Sequence, residues 1–357
     1  MENLKNTRRL ILKQIKTYPS LQLQDLFKFL FQSAFGCEHL ISLKEQAVQY
    51  ISEEYNRMLP QKATVEVLDG NYSRVNLGIL AKGLSPKTLG EIFYLSAKKE
   101  EDGLTRLKAK LELLKQMIIN GELAFNIKEF EELFCKWESA GFCAIHHSEN
   151  FRKNYFPSYR VVANEYVPFF PRLTKIDIAL KQKSSIVVAI DGGSASGKST
   201  LASLLQTIYD CNLFHTDDYF LQPHQRTNER LKEPGGNMDR ERLLQEILLP
   251  LSTNKEIAYK KFDCQTQSLS NPITPPNKKL CIIEGCYSMH PDLISYYDLC
   301  VFLDISPTLQ KKRILKRNTQ NFAKLFFEEW IPLENIYFEA FKIKEKANLI
   351  IKSKDFK

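Results

Sequence analysis

Residues 186–200 read IVVAIDGGSASGKST, and this stretch decides the fold of the second half of the chain. Its first five residues are apolar and mostly β-branched, which predicts a strand buried on both faces of a parallel sheet. The next ten contain the pattern G-x-x-x-x-G-K-S between that strand and a helical pattern. A glycine-rich turn before an ordinary helix would not need the lysine and the hydroxyl in register, so we favour a phosphate-binding loop.

Each residue type in this loop has a chemical purpose. Glycines let the backbone curl so that successive N–H groups point at a phosphate, and the positive end of the next helix adds to them. Lys198 brings a full charge, and the Ser199 hydroxyl can ligate Mg²⁺. The predicted nucleotide-binding residues here are Gly192, Gly193, Ser194, Ala195, Ser196, Gly197, Lys198, Ser199 and Thr200.

Further apolar runs predict the rest of an α/β unit. They lie at 280–283, 299–303 and 349–351, and helical patterns at 201–208, 240–249 and 309–317 alternate with them. Strand and helix in alternation indicate a parallel sheet with flanking helices and right-handed crossovers.

Acidic residues follow two of the predicted strands. Asp217 and Asp218 come after an apolar run at 211–214, and Glu284 follows the run at 280–283. Ligands of such folds bind at the carboxyl edge of the sheet, so we expect these side chains to share a site. A carboxylate there can take a proton from a substrate hydroxyl or hold Mg²⁺, as phosphoryl transfer requires. An acidic helix N-cap on the surface is the alternative for the aspartate pair.

A basic segment lies further along the chain. Lys311, Lys312, Arg313, Lys316 and Arg317 crowd one predicted helix, where like charges four residues apart repel unless an anion lies between them. A lid that closes over a phosphate and a solvated basic face would both have this pattern.

Five segments resemble, in order along the chain, the uridine kinase/phosphoribulokinase family. They are residues 191–200, 216–220 and 282–285, the basic helix, and ANLII at 347–351. The resemblance covers roughly residues 184–353. It implies a P-loop kinase domain that uses ATP and Mg²⁺, with Asp217 as the general base toward an acceptor hydroxyl. It also implies that Glu284 helps to bind Mg²⁺, and with Ser199 and Asp217 this gives three candidate metal ligands. Lys198 and a basic residue, Lys312, Arg313 or Arg317, would then neutralise the moving phosphoryl group, and Arg317 would also contact the nucleotide.

The acceptor side departs from this family pattern. Uridine kinases carry a Tyr-Asp-Phe segment followed by a histidine that recognises the base, whereas residues 259–267 read YKKFDCQTQ. The DDYF motif at 217–220 is also similar to nicotinamide riboside kinases. Candidate acceptor contacts are Asp218, Tyr219, Asp239 and Asp263. Asp239 could equally be the N-cap of a helix that begins at Arg240, and the aromatic segment 326–341 is predicted to pack as core or lid.

Residues 1–180 carry no such resemblance. Apolar residues recur there at helical spacing, and runs at 64–68 and 72–77 flank Asp-Gly-Asn, which favours a hairpin. We therefore predict an α-rich (α+β) domain of unknown role over 1–180, followed by the kinase-like domain over 181–357.

Two polar clusters stand out in this first part. One contains Cys37, Glu38 and His39, and the other is CAIHHSE at 143–149, with His146 and His147. They contain zinc-ligand residue types without regular spacing, so capping or hydrogen-bonded histidines are favoured over a metal site. A third interpretation is a pocket for an anionic or aromatic ligand, completed by Arg152, Tyr155, Tyr159 and Arg160.

Composition limits the class of protein. The 357 residues are 43% hydrophobic and 26% charged, which indicates a soluble globular protein of two domains. A net charge of +8 suits phosphate-rich ligands but not a nucleic-acid partner. Eight scattered cysteines and the lack of a long apolar run predict reduced thiols, a cytoplasmic location and no membrane partner. Oligomeric state stays open, and a homo-oligomer is compatible with this composition.

These observations predict an ATP- and Mg²⁺-dependent kinase that phosphorylates a hydroxyl of a small metabolite, a nucleoside or related riboside. The alternative is a nucleotide-gated regulatory protein whose P-loop domain controls a ligand or partner of the first domain. A bifunctional enzyme with a metal-dependent first domain is the third hypothesis.

Overall fold

The computed structural model describes residues 4–37, 44–97 and 100–353. The chain divides into two compact units, Met1–Asp177 and Ile178–Lys357. Among the helices of the described residues, none combines the length and the apolar character needed to cross a membrane.

The amino-terminal unit is mainly helical, as predicted. Its helices are α1 (Leu4–Thr17), α2 (Leu23–Phe35), α3 (Lys44–Arg57), α4 (Pro86–Leu95), α5 (Gly103–Ile119), α6 (Ile127–Ser139), α7 (Glu149–Tyr155) and α8 (Phe170–Gln182), which runs across the division. Its antiparallel sheet contains β1 (Val65–Val67), β2 (Tyr72–Asn76) and β3 (Tyr159–Ala163) in that order. The sequence predicted the β1–β2 hairpin but not β3, because prolines punctuate the segment around it.

Helix α2 shows why this unit folds as it does. Leu23, Phe27 and Leu30 are buried at helical spacing, and the helix packs against α5. A capping box begins α2, because the Asp25 carboxylate accepts a hydrogen bond from the Gln22 amide at 2.9 Å. The same carboxylate also faces the interior, so the start of α2 carries a buried charge.

The carboxy-terminal unit alternates strands and helices. Its strands are β4 (Ile186–Gly192), β5 (Cys211–His215), β6 (Phe262–Asp263), β7 (Ser268–Leu269), β8 (Leu280–Glu284), β9 (Leu299–Asp304) and β10 (Leu349–Lys352). Its helices are α9 (Lys198–Ile208), α10 (Asn228–Lys232), α11 (Arg240–Leu243), α12 (Leu249–Ser252), α13 (Pro291–Ile294), α14 (Pro307–Arg317), α15 (Gln320–Leu325), α16 (Ile331–Phe341) and α17 (Ile343–Lys346).

Five strands form one parallel sheet in the order β10-β9-β4-β8-β5. Strand β4 is central and buried along its whole length, as its apolar run predicts. Glu284 lies beside Ile190 on one side and His215 on the other, so β4, β5 and β8 end at the same edge. The sheet with flanking helices confirms the predicted α/β fold and brings the residues after these strands together.

Two helical segments contain a wider π-helical turn. These turns are Leu244–Leu248, between α11 and α12, and Phe326–Trp330, between α15 and α16. Pro250 and Pro332 follow them closely. A proline inside a helix lacks an N–H and collides with the carbonyl four residues earlier, so a widened turn relieves both conflicts.

Candidate active site

A cavity of about 980 Å³ opens at the carboxyl edge of the parallel sheet. The loop after β4 contributes several lining residues, including Lys198, Ser199 and Thr200. Asp217 lines it from the turn after β5, and Glu284 lines it from the end of β8. The cavity therefore contains residues from each motif that the sequence places at this edge.

Backbone geometry explains the glycines of the loop. Gly192 has φ of +144°, and a Cβ there would lie 2.5 Å from the Leu303 carbonyl oxygen on the neighbouring strand. Gly197, with φ of +104°, precedes the first residue of α9. Lys198 Nζ donates to the carbonyl oxygens of Gly192 at 2.9 Å and Gly193 at 3.2 Å. The lysine ammonium thus lies over the loop that a phosphate would enter.

Not every predicted loop residue faces the cavity. Ser194, Ala195, Gly197, Lys198, Ser199 and Thr200 line it. Ser196 is fully buried, and Gly192 and Gly193 serve the turn and the contact with Lys198. These three residues shape the loop rather than its open face.

Glu334 on α16 makes the tightest polar contact with the loop. Its carboxylate accepts hydrogen bonds from the Ser194 amide at 2.9 Å and the Ser194 hydroxyl at 2.5 Å. Gln310 holds the same residue from α14, donating to the Ser194 carbonyl oxygen at 2.9 Å. An oxyanion therefore already lies on a loop amide, which shows that the backbone geometry suits an anion. The sequence placed Glu334 in the segment 326–341 that was predicted to pack as core or lid, and no motif marked its contact with the loop.

Glu284 contacts two other side chains beside the loop, those of Ser199 and His215. Ser199 Oγ donates to Glu284 Oε1 at 3.1 Å, and His215 Nδ1 lies 2.6 Å from the same oxygen. The hydrogen bond to Glu284 raises the pKa of His215 above its ordinary value. Burial raises the pKa of the Asp217 carboxyl, and Glu284 adds to the shift while Lys198 opposes it. Asp217 is nonetheless solvent-accessible, because it faces the open cavity.

The donor set suits a hard divalent cation. Ser199, Asp217 and Glu284 offer a hydroxyl and two carboxylates, and oxygen ligands are the ones that Mg²⁺ prefers. Within the described ranges, no group of three or more His, Cys, Asp and Glu side chains has the arrangement of a metal site. An ion held here would therefore need the serine hydroxyl and oxygens from a bound ligand or water.

A buried carboxylate lies under the loop. Asp191 Oδ1 accepts from the Gly192 amide at 2.7 Å, and Oδ2 accepts from the Met289 amide at 2.9 Å and Tyr337 Oη at 2.8 Å. Complete burial raises the Asp191 pKa to about 6 despite these bonds. Asp191 and Tyr337 join β4, the residues after β8, and α16 at one point.

The basic helix α14 divides into two parts. Arg313 donates to the carbonyl oxygens of Ala195 at 3.1 Å, Ser196 at 3.3 Å and Ser353 at 2.9 Å, so it braces the loop. Arg313, Lys316 and Arg317 line the cavity, and the Arg317 guanidinium lies 5.5 Å from the Phe326 ring centroid. Lys311 and Lys312 are exposed and are not among the lining residues. Helix α14 therefore has a part that lines the cavity and a part that faces solvent.

The predicted acceptor contacts need correction. Tyr219 is fully buried in the core, so it cannot touch a substrate, and that prediction is wrong. Asp239 is buried and caps α11 by accepting from the Arg242 amide at 3.2 Å, as its alternative proposed. Asp218 pairs with Lys261 at 3.0 Å, and Asp263 accepts from the Gln265 amide in an exposed hairpin. The cavity is instead lined by Phe220, Asn237, Met238, Cys264, Cys286 and Tyr287.

The structure separates most of the amino-terminal candidates. Cys37 is buried, Cys143, His146 and Arg152 are exposed, Tyr155 Oη accepts from the Ser20 amide, and Arg160 pairs with Glu54. Glu38 and His39 lie outside the described residues. Among the candidates described, His147 Nε2 lies 2.7 Å from Tyr159 Oη, and Arg160 Nη1 donates to the Tyr159 carbonyl oxygen at 3.0 Å. The predicted pocket does not form from this set of residues.

Comparison with known proteins gives a family for part of the chain. Residues 187–322 match the model of the Phosphoribulokinase / Uridine kinase family. Among solved structures, a possible uridine kinase from Bacillus stearothermophilus is 22% identical, with a TM-score of 0.41, over 52% of this chain and 99% of that one. A shikimate kinase from Aquifex aeolicus is 17% identical, with a TM-score of 0.26, over 47% and 87%. The family match includes the phosphate loop, Asp217 and Glu284, as the motifs indicated, and it does not extend to the amino-terminal unit.

Proposed function

We propose that this protein transfers a phosphoryl group from ATP to a hydroxyl of a small metabolite, a nucleoside or related riboside, in the presence of Mg²⁺. One observation carries the proposal: the phosphate loop, Asp217, Ser199 and Glu284 line a single cavity in a kinase-family domain. A phosphate site, a candidate base and oxygen donors for a metal are the parts that phosphoryl transfer requires.

The loop and the basic residues would hold the phosphates. The first-turn amides of α9 have no intrahelical partner and carry the positive end of the helix dipole. Lys198, Lys316 and Arg317 add positive charge around the same cavity. These groups would stabilise the negative charge that spreads over the phosphoryl oxygens during transfer.

Asp217 would accept the proton of the acceptor hydroxyl. As that O–H bond breaks, the hydroxyl oxygen forms a bond to the γ-phosphorus, and the bond from phosphorus to the β,γ-bridging oxygen breaks. The bonding pair leaves with ADP, and the proton stays on the Asp217 carboxylate. A pKa raised by burial makes this carboxylate a stronger base than an ordinary aspartate.

Ser199 and Glu284 would hold the metal ion, which leaves the Asp217 carboxylate available as the base. Bound there, Mg²⁺ would neutralise developing charge on the phosphates. His215 would keep Glu284 oriented through its Nδ1 contact at 2.6 Å.

The lining supports a nucleoside or riboside acceptor. Phe220 and Tyr287 offer flat apolar rings, and Asn237 offers an amide that can both donate and accept. Such a set can stack against a base and hydrogen-bond to a ribose. Without the histidine that recognises the base in uridine kinases, uridine is not specified as the acceptor.

The test is turnover on a panel of acceptors. The purified protein is incubated with Mg·ATP and nucleosides, other ribosides and sugar alcohols, and ADP release is followed together with acceptor mass. We expect a gain of one phosphate on one acceptor class, and a fall of about 10²–10⁴-fold in Asp217→Asn, because the base is lost. ATP binding should persist in this variant, because the loop is intact.

Asp210→Asn is the matched control. Asp210 makes a surface ion pair with Lys278 and does not line the cavity, so the same substitution there should leave turnover unchanged. Equal turnover by Asp217→Asn would remove Asp217 from the role of base. ATP binding with no turnover on any acceptor would favour a nucleotide-gated regulatory protein instead.

A further inference from the structure

Charged and polar side chains from separate elements converge inside the amino-terminal unit. We call this group the Arg74 cluster. It contains Asp25, Lys28 and Gln32 from α2, Glu66 from β1, Arg74 from β2, Tyr159 from β3, and His147 from the segment before α7. It lies wholly within the amino-terminal unit, and the proposed kinase function makes no use of it.

Hydrogen bonds order the acid–imidazole end of the cluster. Asp25 Oδ1 accepts from His147 Nδ1 at 2.8 Å and the Ser148 amide at 3.0 Å, and Oδ2 accepts from Ser148 Oγ at 2.7 Å and the Gln22 amide at 2.9 Å. A carboxylate only accepts, so His147 carries its proton on Nδ1 and Nε2 accepts from Tyr159 Oη at 2.7 Å. Burial lowers the His147 pKa to about 4, so the ring is neutral at physiological pH. The Asp25 carboxylate has no capacity left for another donor.

At the guanidinium end of the cluster, donors outnumber the acceptors that they reach. Arg74 is 3% exposed, with Nε donating to Gln32 Oε1 at 2.8 Å and Nη1 to Glu66 Oε2 at 3.1 Å. Glu66 Oε1 accepts from Gln14 at 2.6 Å, so both of its oxygens are engaged. Arg74 Nη2 is buried and has no hydrogen-bond partner among the residues that the structure describes. An unpaired buried guanidinium N–H is costly, and an acceptor from outside the chain would remove that cost.

Lys28 adds a second cation at this end. Its Nζ donates to the Ile145 carbonyl oxygen at 2.8 Å. Burial, and then the nearby Arg74 charge, lower the Lys28 pKa to about 8. An ammonium has three N–H donors, so Lys28 has donating capacity beyond this bond.

Arg74 Nη2 and Lys28 Nζ therefore keep unused donors, while the Asp25 carboxylate is fully occupied and each Glu66 oxygen already accepts one hydrogen bond. From this geometry we infer that the Arg74 cluster is a binding site for the phosphate or carboxylate group of a small metabolite, held by Arg74 Nη2 and Lys28 Nζ. Arginine beside lysine is a common arrangement for such anions, because the planar fork directs the bond and the ammonium adds charge. The Asp25–His147–Tyr159 chain fixes the neighbouring ring and hydroxyl at the site.

The reactivity of Lys28 provides a local test. Full-length protein is acylated near pH 8 with a trace amine-reactive reagent, and peptide mass spectrometry gives the rate at each lysine. Inorganic phosphate and malonate are the two probes, and chloride at equal ionic strength is the reference. A bound anion should raise the Lys28 pKa by one unit or more, so its rate should fall about fivefold. Exposed Lys153 serves as the internal standard and should not change.

Two arginine variants form the matched pair. Arg74→Gln should abolish the protection of Lys28. Arg160→Gln should retain it, because Arg160 pairs with Glu54 and touches the cluster through the Tyr159 carbonyl oxygen, not through a side chain that would hold the anion. Phosphate binding at the P-loop does not affect this measurement, because only the Lys28 peptide is scored.

Each outcome decides the inference. Protection by phosphate alone assigns a phosphate ligand, and protection by malonate alone assigns a carboxylate. No protection of wild-type Lys28 by either probe overturns the inference, and this comparison needs no variant, so it stands even if Arg74→Gln fails to fold. Protection that persists in folded Arg74→Gln, or that is lost in Arg160→Gln, also overturns it.

Discussion

The phosphate loop and the Arg74 cluster each place a positive charge beside N–H groups that can donate to an anion. The two differ in how the chain forms them. Residues 192–199 form the loop within one strand-to-helix connection. The Arg74 cluster draws its side chains from α2, all three strands of the antiparallel sheet, and the segment before α7. A site formed by one connection can be predicted from the spacing of its residues along the sequence. A site formed by tertiary packing has no such spacing.

The two regions also differ in what supports them. Backbone conformation shapes the loop, through the positive φ angles of Gly192 and Gly197. Side-chain hydrogen bonds over long sequence separations hold the cluster, such as His147 to Asp25 across 122 residues. The loop should therefore respond most to changes in backbone and charge, and the cluster to the loss of any shared side chain.

Asp25→Ala tests this dependence with the largest expected effect. Removing the carboxylate leaves four donors without an acceptor, from Gln22, His147 and two groups of Ser148, so we expect a loss of about 3 kcal/mol or more in unfolding free energy. Denaturant unfolding at pH 7, followed by circular dichroism, measures it.

Asp102→Ala is the control, because Asp102 precedes α5 but makes no side-chain cap hydrogen bond. The hydrogen bond from His147 holds the Asp25 pKa below its ordinary value although burial opposes it. Its contribution to stability is therefore present above the unfolded pKa and disappears as pH falls through the folded pKa. Equal losses in the two variants would contradict the idea that the cluster depends on shared side chains.

Tyr337→Phe tests whether the loop also depends on a distant side chain. Loss of the hydroxyl removes a charge-assisted bond to Asp191, so we expect a destabilisation of about 1–2 kcal/mol at pH 8. Because the folded pKa of Asp191, about 6, exceeds its ordinary 3.8, wild-type stability should fall as pH rises through that window. The variant should raise this pKa further, so its deficit should be larger at pH 8 than at pH 5 in denaturant unfolding.

Tyr297→Phe is matched to it in chemistry. The Tyr297 hydroxyl is buried and has no hydrogen-bond partner in the described part of the chain, so its removal should cost nothing. A pH-independent deficit in Tyr337→Phe would show that the hydroxyl does not interact with the ionised Asp191 carboxylate.

The sequence predicted the loop because its chemistry and its spacing coincide. Glycine, lysine and serine stand at fixed offsets after a buried strand, and the runs before Asp217 and Glu284 identify two more strand ends. The parallel sheet then brings those ends to one edge, so the presence of Ser199, Asp217 and Glu284 in one cavity followed from topology alone.

Residues that reach the loop from elsewhere gave no such signal. Glu334 lies 140 residues from Ser194, and Tyr337 lies 146 residues from Asp191. Both belong to α16, where aromatic residues suggested only packing. The prediction that Tyr219 contacts the acceptor failed for the opposite reason. It stands beside Asp217 in sequence, but the turn directs Asp217 into the cavity and Tyr219 into the core.

The amino-terminal site was harder to predict for a physical reason. Sequence analysis chose Arg152 and Arg160 because they stand near the histidines, yet one is exposed and the other pairs with Glu54. Arg74 lies in β2, most of which is buried, so alternation along the strand does not identify an open face. Its partners come from other elements, and without β3 in the prediction, Tyr159 could not be placed beside it.

Basic side chains on α14 give the smallest effect and the finest comparison. Lys316 lines the cavity and Lys312 does not, although both are exposed and one helical turn apart. Lys316→Ala should raise the KM for ATP by about threefold, because an exposed charge near a phosphate contributes little in water. Lys312→Ala should leave that KM unchanged.

The effect of Lys316→Ala on the KM for ATP should become smaller as the salt concentration increases, since exposed charges are screened within about 8–10 Å. Steady-state kinetics at two ionic strengths measures both. Equal effects of the two variants would mean that the helix acts through its total charge, and the distinction between a cavity-lining part and a solvated part of α14 would fail.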